Sequence, residues 1–70
     1  MLKHGDWECA VMNDPEDIDK LALDILYKDE TVIFIKEKGS EKIITIYEKD
    51  LVIPFDWFVE VMKLAKDRVP

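Results

Sequence analysis

The clearest hydrophobic pattern in the chain lies in residues 31–47, where isoleucines recur at every second position on both sides of a Gly39-Ser40 dipeptide. A period of two is typical of β-strands, because successive side chains point to opposite faces of a sheet. Gly-Ser suits a two-residue type II′ turn, since glycine reaches a positive φ without a Cβ clash. Residues 31–47 are therefore predicted to form a β-hairpin.

A turn at Gly39-Ser40 sets the register of this hairpin. The facing pairs are then Lys38 with Glu41, Glu37 with Lys42, Ile35 with Ile44, and Ile33 with Ile46. The first two pairs join opposite charges, which favours the register. The four isoleucines share one face, which we expect to be the main core face. The second face carries Val32, Phe34, Lys36, Ile43, Thr45 and Tyr47, a set too apolar for a face that meets only water.

Two helices are predicted around the hairpin. Asp14 can cap a helix that begins at Pro15 and ends near Tyr27 or Lys28. Its apolar residues at helical spacing are Ile18, Leu21, Ala22, Ile25 and Leu26. Pro54 opens the second helix, which runs to about Arg68. The apolar stripe of this helix consists of Phe55, Phe58, Val61, Met62, Ala65 and Val69, widened by Trp57 and Leu64.

These elements define an expected α+β fold with the order β-α-β-β-(β)-α in a single domain, residues 1–70. Residues 7–12 alternate as a first strand, and residues 51–53 are either a short strand or a continuation of the third one. The simplest packing is a small two-layer sandwich with both helices on the isoleucine face. The pattern leaves open whether the first strand lies beside the second or the third.

The apolar content is generous for so short a chain. Hydrophobic residues make up 49% of 70 residues, whereas a domain of this size buries only a modest fraction of its surface. We therefore expect part of the apolar surface to be hidden against a second copy or a partner protein.

The charge balance bears on partners. Sixteen acidic residues against ten basic ones, of which only Arg68 is an arginine, give a formal net charge of −6. Phosphate backbones and anionic membranes are bound through Lys and Arg, so nucleic acid and membrane surfaces are disfavoured as partners. There is no apolar run near 18 residues and no signal-peptide pattern at the start, which makes a cytoplasmic location the expectation.

Candidate chemistry is sparse. The acidic residues from Asp14 to Asp19 lack the glycine and spacing of a calcium loop, so helix capping explains them better. His4 and Cys9 are too few for a structural zinc site, and Cys9 lies at an apolar strand position. No phosphate-binding loop, dinucleotide motif or zinc-protease motif occurs. The sequence therefore predicts no catalytic residues, no metal, no cofactor and no enzymatic activity.

One segment resembles a known family. Leu51-Val52-Ile53-Pro54-Phe55-Asp56-Trp57, followed by an amphipathic helix, resembles the last strand and helix of PC4-like (positive cofactor 4) single-stranded-DNA-binding coactivators. The resemblance covers about twenty residues and implies a helix used in dimerisation and a sheet that binds single strands. The chain departs from that family in its predicted helix between the first two strands and in its lack of a basic sheet.

The function expected from the sequence is a non-catalytic protein-interaction domain. It would act as a homodimer or as the small subunit or inhibitor of another protein, in the manner of small phage, antitoxin or immunity proteins. The residues expected to form the interface are Val32, Phe34, Ile43, Tyr47 and Trp57. The alternative is a single-stranded nucleic-acid-binding module that uses the lysines and aromatic residues of the hairpin.

Overall fold

The computed structural model describes residues 2–69. Its strands are β1 (Leu2–His4), β2 (Trp7–Asp14), β3 (Asp17–Tyr27), β4 (Glu30–Lys38) and β5 (Glu41–Ile46), and its helix is α1 (Phe55–Arg68). The strands form one antiparallel sheet in chain order, β1-β2-β3-β4-β5, with each strand paired to the next. The predicted sandwich of two helices on a sheet is wrong, because the described residues contain five strands and a single C-terminal helix.

The first predicted helix is replaced by the central strand β3. Its apolar residues fit two periods at once, because Leu21, Leu23, Ile25 and Tyr27 also alternate with period two. Leu23 and Ile25 are fully buried, whereas Ile18, which opened the predicted helical stripe, is 73% exposed. Since β3 pairs with a strand on each side, tertiary pairing outweighs the local helical spacing.

The predicted helix cap at Asp14 is a turn between β2 and β3. The Asp14 carboxylate accepts a hydrogen bond from the Glu16 backbone N–H at 2.9 Å, next to Pro15. An aspartate that accepts from an N–H shortly downstream serves equally in a helix cap and in an Asx turn. The local chemistry was therefore identified, but its structural context was not.

The hairpin of β4 and β5 has the predicted register. Lys38 lies opposite Glu41, Ile35 opposite Ile44 and Ile33 opposite Ile46. Gly39 has a φ of +67°, the conformation that glycine was expected to supply at this turn.

Two further tight turns complete the sheet. Gly5 and Asp6 join β1 to β2, and Gly5 has a φ of +59°. Lys28 and Asp29 join β3 to β4 with φ values of +51° and +68°. Positive φ at both central residues is typical of a type I′ hairpin turn.

The core lies between α1 and one face of the sheet, which we call the helix face. Its buried residues are Trp7, Cys9, Leu23, Ile25, Val32, Ile33, Ile35, Trp57, Val61, Ala65 and Val69. The second predicted helix is confirmed, since α1 follows Pro54 and ends at Arg68. No strand forms at residues 51–53, although Leu51 and Ile53 pack against the core.

One helix does not cover the whole helix face. An α-helix is about 10 Å across, whereas five strands about 4.8 Å apart make a much wider sheet. Ile33 and Ile35 on β4 are buried, but Ile44 and Ile46 on β5 are 51% and 64% exposed. The expectation that all four isoleucines form the core therefore holds for β4 and is wrong for β5.

Candidate functional site

Val32, an expected interface residue, lies in the core. Thr31 pairs with Leu26 and Ile33 pairs with Ile25, so Val32 is an extra residue in β4. Such a bulge interrupts the alternation of side chains. Val32 and Ile33 are consequently both buried in the core cluster, and Val32 offers no surface to a partner.

Trp57 is also buried in the chain itself. Its ring centroid lies 5.7 Å from that of Trp7, which lies 4.7 Å from the ring of Tyr27. Only 8% of Trp57 is exposed. This aromatic group attaches the start of α1 to β2 and β3, a structural role.

The remaining three expected interface residues come together on the face opposite the helix, which we call the open face. Phe34 and Ile43 are half-buried there, and Tyr47 is 62% exposed. They line a groove of about 360 Å³ between the hairpin and the β2–β3 turn. The other residues that line this groove are Asp14, Pro15, Glu16, Lys36, Lys38 and Thr45.

The charge in this groove is largely compensated. The Lys36 ammonium lies 3.4 Å from Asp14 Oδ1 and 3.3 Å from Glu16 Oε1. Burial by itself would lower the pKa of Lys36, but its hydrogen bonds to Glu16 and Asp14 and their negative charges outweigh burial and raise it. Lys36 therefore stays protonated and is unsuited to act as a nucleophile or a general base.

The edge of β5 offers a second candidate surface. β5 lies at one end of the strand order and pairs with β4 alone. The Tyr47 N–H donates to the Val32 carbonyl at 2.8 Å, so in an antiparallel ladder Ile43 and Thr45 direct their backbone groups toward β4. The backbone N–H and C=O groups of Lys42, Ile44 and Ile46 then point outward. Among residues 2–69, no backbone hydrogen bond occupies these outward groups.

Exposed apolar side chains flank this edge. Ile44 and Ile46 lie on its helix-face side, and Tyr47 lies on its open-face side. A second groove of about 260 Å³ adjoins the edge on the helix-face side, lined by Ile35, Lys42, Ile44, Met62, Ala65 and Lys66. We define the β5 edge surface as the outward backbone of residues 42–46 together with the side chains of Ile44, Ile46 and Tyr47.

Sequence reasoning missed Ile44 and Ile46 as surface residues. The prediction assigned both to the core because two helices, and not α1 alone, were expected to cover this face. The available signal was their position on the last strand before the polar residues 48–50, where a sheet edge is a natural outcome.

Other chemistry is limited. Cys9 is fully buried, and desolvation raises the pKa of its thiol to about 11, which disfavours the reactive thiolate. Within residues 2–69, no group of three or more His, Cys, Asp or Glu side chains is placed to hold a metal ion. In the same part of the chain, no helix has the length and apolar character needed to cross a lipid bilayer.

Comparison with known proteins identifies no relative: no protein-family model matches this chain, and neither the curated proteins nor the solved structures contain a significant match.

Proposed function

We propose that this chain is a non-catalytic protein-interaction domain that binds its partner through the β5 edge surface. The observation that carries the proposal is the six-residue edge strand, whose outward backbone groups lack backbone partners within residues 2–69. An exposed strand edge is a template for a strand from another protein. Ile44, Ile46 and Tyr47 would add apolar contacts on either side of the new ladder.

The arrangement of charges supports this choice of surface. Natural sheets commonly protect an edge with lysines, prolines or a covering loop. Here the central part of the edge, residues 43–47, contains no charged residue. The charged residues Glu41, Lys42, Glu48 and Lys49 stand only at its two ends. An apolar centre with a polar rim is the usual composition of a protein interface.

Amide hydrogen exchange tests the proposal with a control inside the same strand. In the unbound chain, the inward amides of Ile43 and Thr45 should exchange slowly, and the outward amides of Ile44 and Ile46 should exchange fast. When a partner protein occupies the edge, Ile44 and Ile46 should become protected. A complex in which these two amides keep exchanging fast would show that another surface is used.

A pair of matched variants tests the side chains. Ile46→Lys places a charge within the β5 edge surface, whereas Val52→Lys places the same charge at an exposed residue outside it. We expect Ile46→Lys to abolish partner binding and Val52→Lys to preserve it. The measurement is sedimentation of the complex, or affinity capture that compares the proteins bound by each variant. Equal binding by both variants would contradict the proposal.

The second candidate function is binding of single-stranded nucleic acid in the open-face groove. It is favoured by two aromatic rings, Phe34 and Tyr47, next to Lys36 and Lys38, since bases stack on aromatic side chains and phosphates bind lysines. Asp14 and Glu16 weigh against it, because they offset those two positive charges. The measurement is fluorescence anisotropy of labelled single strands at low salt. Salt-sensitive binding that Tyr47→Ala removes would favour this candidate over the first.

A further inference from the structure

Strand β5 and the three residues that follow it carry a self-complementary pattern of charges centred on Thr45. Residues 41–49 read Glu-Lys-Ile-Ile-Thr-Ile-Tyr-Glu-Lys. The positions equidistant from Thr45 are Ile44 and Ile46, Ile43 and Tyr47, Lys42 and Glu48, and Glu41 and Lys49. The inner two sets are apolar, and the outer two sets each join a base with an acid. A second copy of the segment running in the opposite direction therefore matches it at every position.

The backbone supports the same register. In an antiparallel pair, an outward-facing residue must lie opposite an outward-facing residue of the other strand. Pairing about Thr45 sets Ile44 opposite Ile46 of the second copy, so the outward backbone groups of β5 meet. Lys42 then lies opposite Glu48 once residues 47–49, which follow the end of β5 at Ile46, continue the strand in the dimer. Thr45 then faces its own counterpart on the two-fold axis, and threonine pairs across strands are favourable.

Other registers with correct backbone geometry lack this match. Centring the pair on Ile44 sets Lys42 opposite Ile46 and Glu41 opposite Tyr47, which leaves the charges unpaired. Centring it on Ile46 sets Glu48 opposite Ile44. Only the register about Thr45 places both bases opposite acids, and by symmetry it forms four such pairs.

We propose, resting on the function proposed above, that the partner at the β5 edge is a second copy of this chain, paired antiparallel about Thr45. The two sheets then join into one, with five strands from each copy. The two-fold axis is perpendicular to the sheet, so both α1 helices lie on the same side. Ile44 and Ile46 of the two copies meet between these helices, where each chain alone leaves them more than half exposed.

Exchanging adjacent charges tests the register without changing composition or net charge. Glu48→Lys with Lys49→Glu keeps the net charge at −6, lies outside the hairpin, and sets like charges opposite one another in all four pairs. We expect it to weaken dimerisation by about tenfold or more, measured by sedimentation velocity up to high micromolar concentration. The control is Glu60→Lys with Lys63→Glu, which inverts an existing ion pair on α1 and should leave dimerisation unchanged.

A complementary exchange should rescue pairing. Glu41→Lys with Lys42→Glu also repels itself, but mixed with the Glu48/Lys49 exchange it restores four opposite-charge pairs. The mixture should therefore form a heterodimer, detected by native mass spectrometry, more strongly than either variant forms a homodimer. Lys42 also donates to the Ala65 carbonyl at 3.2 Å. Circular dichroism must therefore show that the Glu41/Lys42 exchange is folded; if it is not, the Glu48/Lys49 exchange with its control decides the question.

The outcomes separate this inference from the proposed function. A wild-type chain that stays monomeric, or a Glu48/Lys49 exchange that dimerises like wild type, overturns self-pairing about Thr45. If Ile44 and Ile46 amides are then protected by a different protein, the proposed function stands without self-pairing. If a dimer forms while both amides exchange fast, self-pairing about Thr45 fails; if no other partner protein protects these amides either, the proposed function fails as well.

Discussion

Trp7 and Trp57 lie in contact, with ring centroids 5.7 Å apart and ring planes inclined at 49°. Trp7 opens β2 and Trp57 belongs to the first turn of α1. Trp57 lies fifty positions after Trp7 along the chain. This contact therefore joins distant parts of the chain and holds the first turn of α1 against the sheet.

Removing Trp57 should be the most damaging single truncation in α1. Trp57→Ala is expected to lower the free energy of unfolding by about 3–5 kcal/mol, because it leaves a cavity beside Trp7. Trp57→Phe should cost less, since the buried Nε1 of Trp57 has no hydrogen-bond partner to lose. Urea denaturation followed by circular dichroism measures both. The control is Phe55→Ala at a residue 78% exposed; a comparable loss there would contradict the assigned packing.

Replacing Gly39 by alanine should destabilise the protein. A Cβ added at Gly39 would meet nothing within 4 Å, so the cost comes from its φ of +67° alone. Gly39→Ala is expected to lower the free energy of unfolding by about 1 kcal/mol. Ser40→Ala, at the exposed neighbouring residue, should have almost no effect. Equal thermal unfolding of the two variants would argue against the positive φ at Gly39.

A different dipeptide in the turn between β3 and β4 should make the protein more stable. Lys28 and Asp29 both occupy positive φ, where the Asn-Gly dipeptide is strongly preferred. Lys28→Asn combined with Asp29→Gly is expected to raise the free energy of unfolding by about 1 kcal/mol. Thermal unfolding of the double variant and of Lys28→Asn alone separates the two contributions. A lower melting temperature for the double variant would contradict the turn geometry.

Asp14 should matter more than the similar Asp17. Each carboxylate accepts a hydrogen bond from the N–H two residues downstream, but Asp14 is 2% exposed and also contacts Lys36. Asp14→Ala is expected to cost about 1–3 kcal/mol, because the Glu16 amide and the partly buried Lys36 ammonium lose an acceptor that is itself buried. Asp17→Ala, at an exposed residue, should cost clearly less. Chemical denaturation of the two variants provides the comparison.

Stability should fall at alkaline pH through Cys9. Its thiol pKa is raised from 9.0 to about 11 by burial, so the unfolded chain loses this proton first. The contribution of the buried Cys9 thiol to stability is complete below pH 9 and is lost as pH rises to about 11. The free energy of unfolding decreases by about 2–3 kcal/mol over this range. Cys9→Ala should lack this decrease, which denaturant titrations across the range will show. The pKa values of Lys20 and Lys36 are also raised. The stability that these two lysines contribute is likewise lost as pH rises, equally in the wild type and in Cys9→Ala.

Local chemistry predicted part of the fold well. The Gly39-Ser40 turn depends mainly on a positive φ at Gly39, which glycine supplies. Once the two turn residues are identified, the facing pairs Lys38–Glu41 and Ile35–Ile44 are fixed by their distance from the turn. Helix α1 was predicted because Pro54, one apolar stripe and a basic last turn agree with each other. Strand β1 was not predicted, because its three residues are too few to show a period of two. The Gly5-Asp6 dipeptide, which is also typical of two-residue hairpin turns, could have indicated it.

The rest depended on contacts between distant residues. Residues 17–27 satisfy helical and strand periods equally, and only pairing with β2 and β4 selects the strand. That choice replaced the first predicted helix by β3, left Ile44 and Ile46 outside the core, and created an uncovered edge. Val32 entered the core because β3 and β4 align with one extra residue. Turns and the period of α1 are local properties that the residues carry with them, whereas strand partners, bulges and edges exist only once separate segments meet, because the free energy that selects them comes from long-range packing.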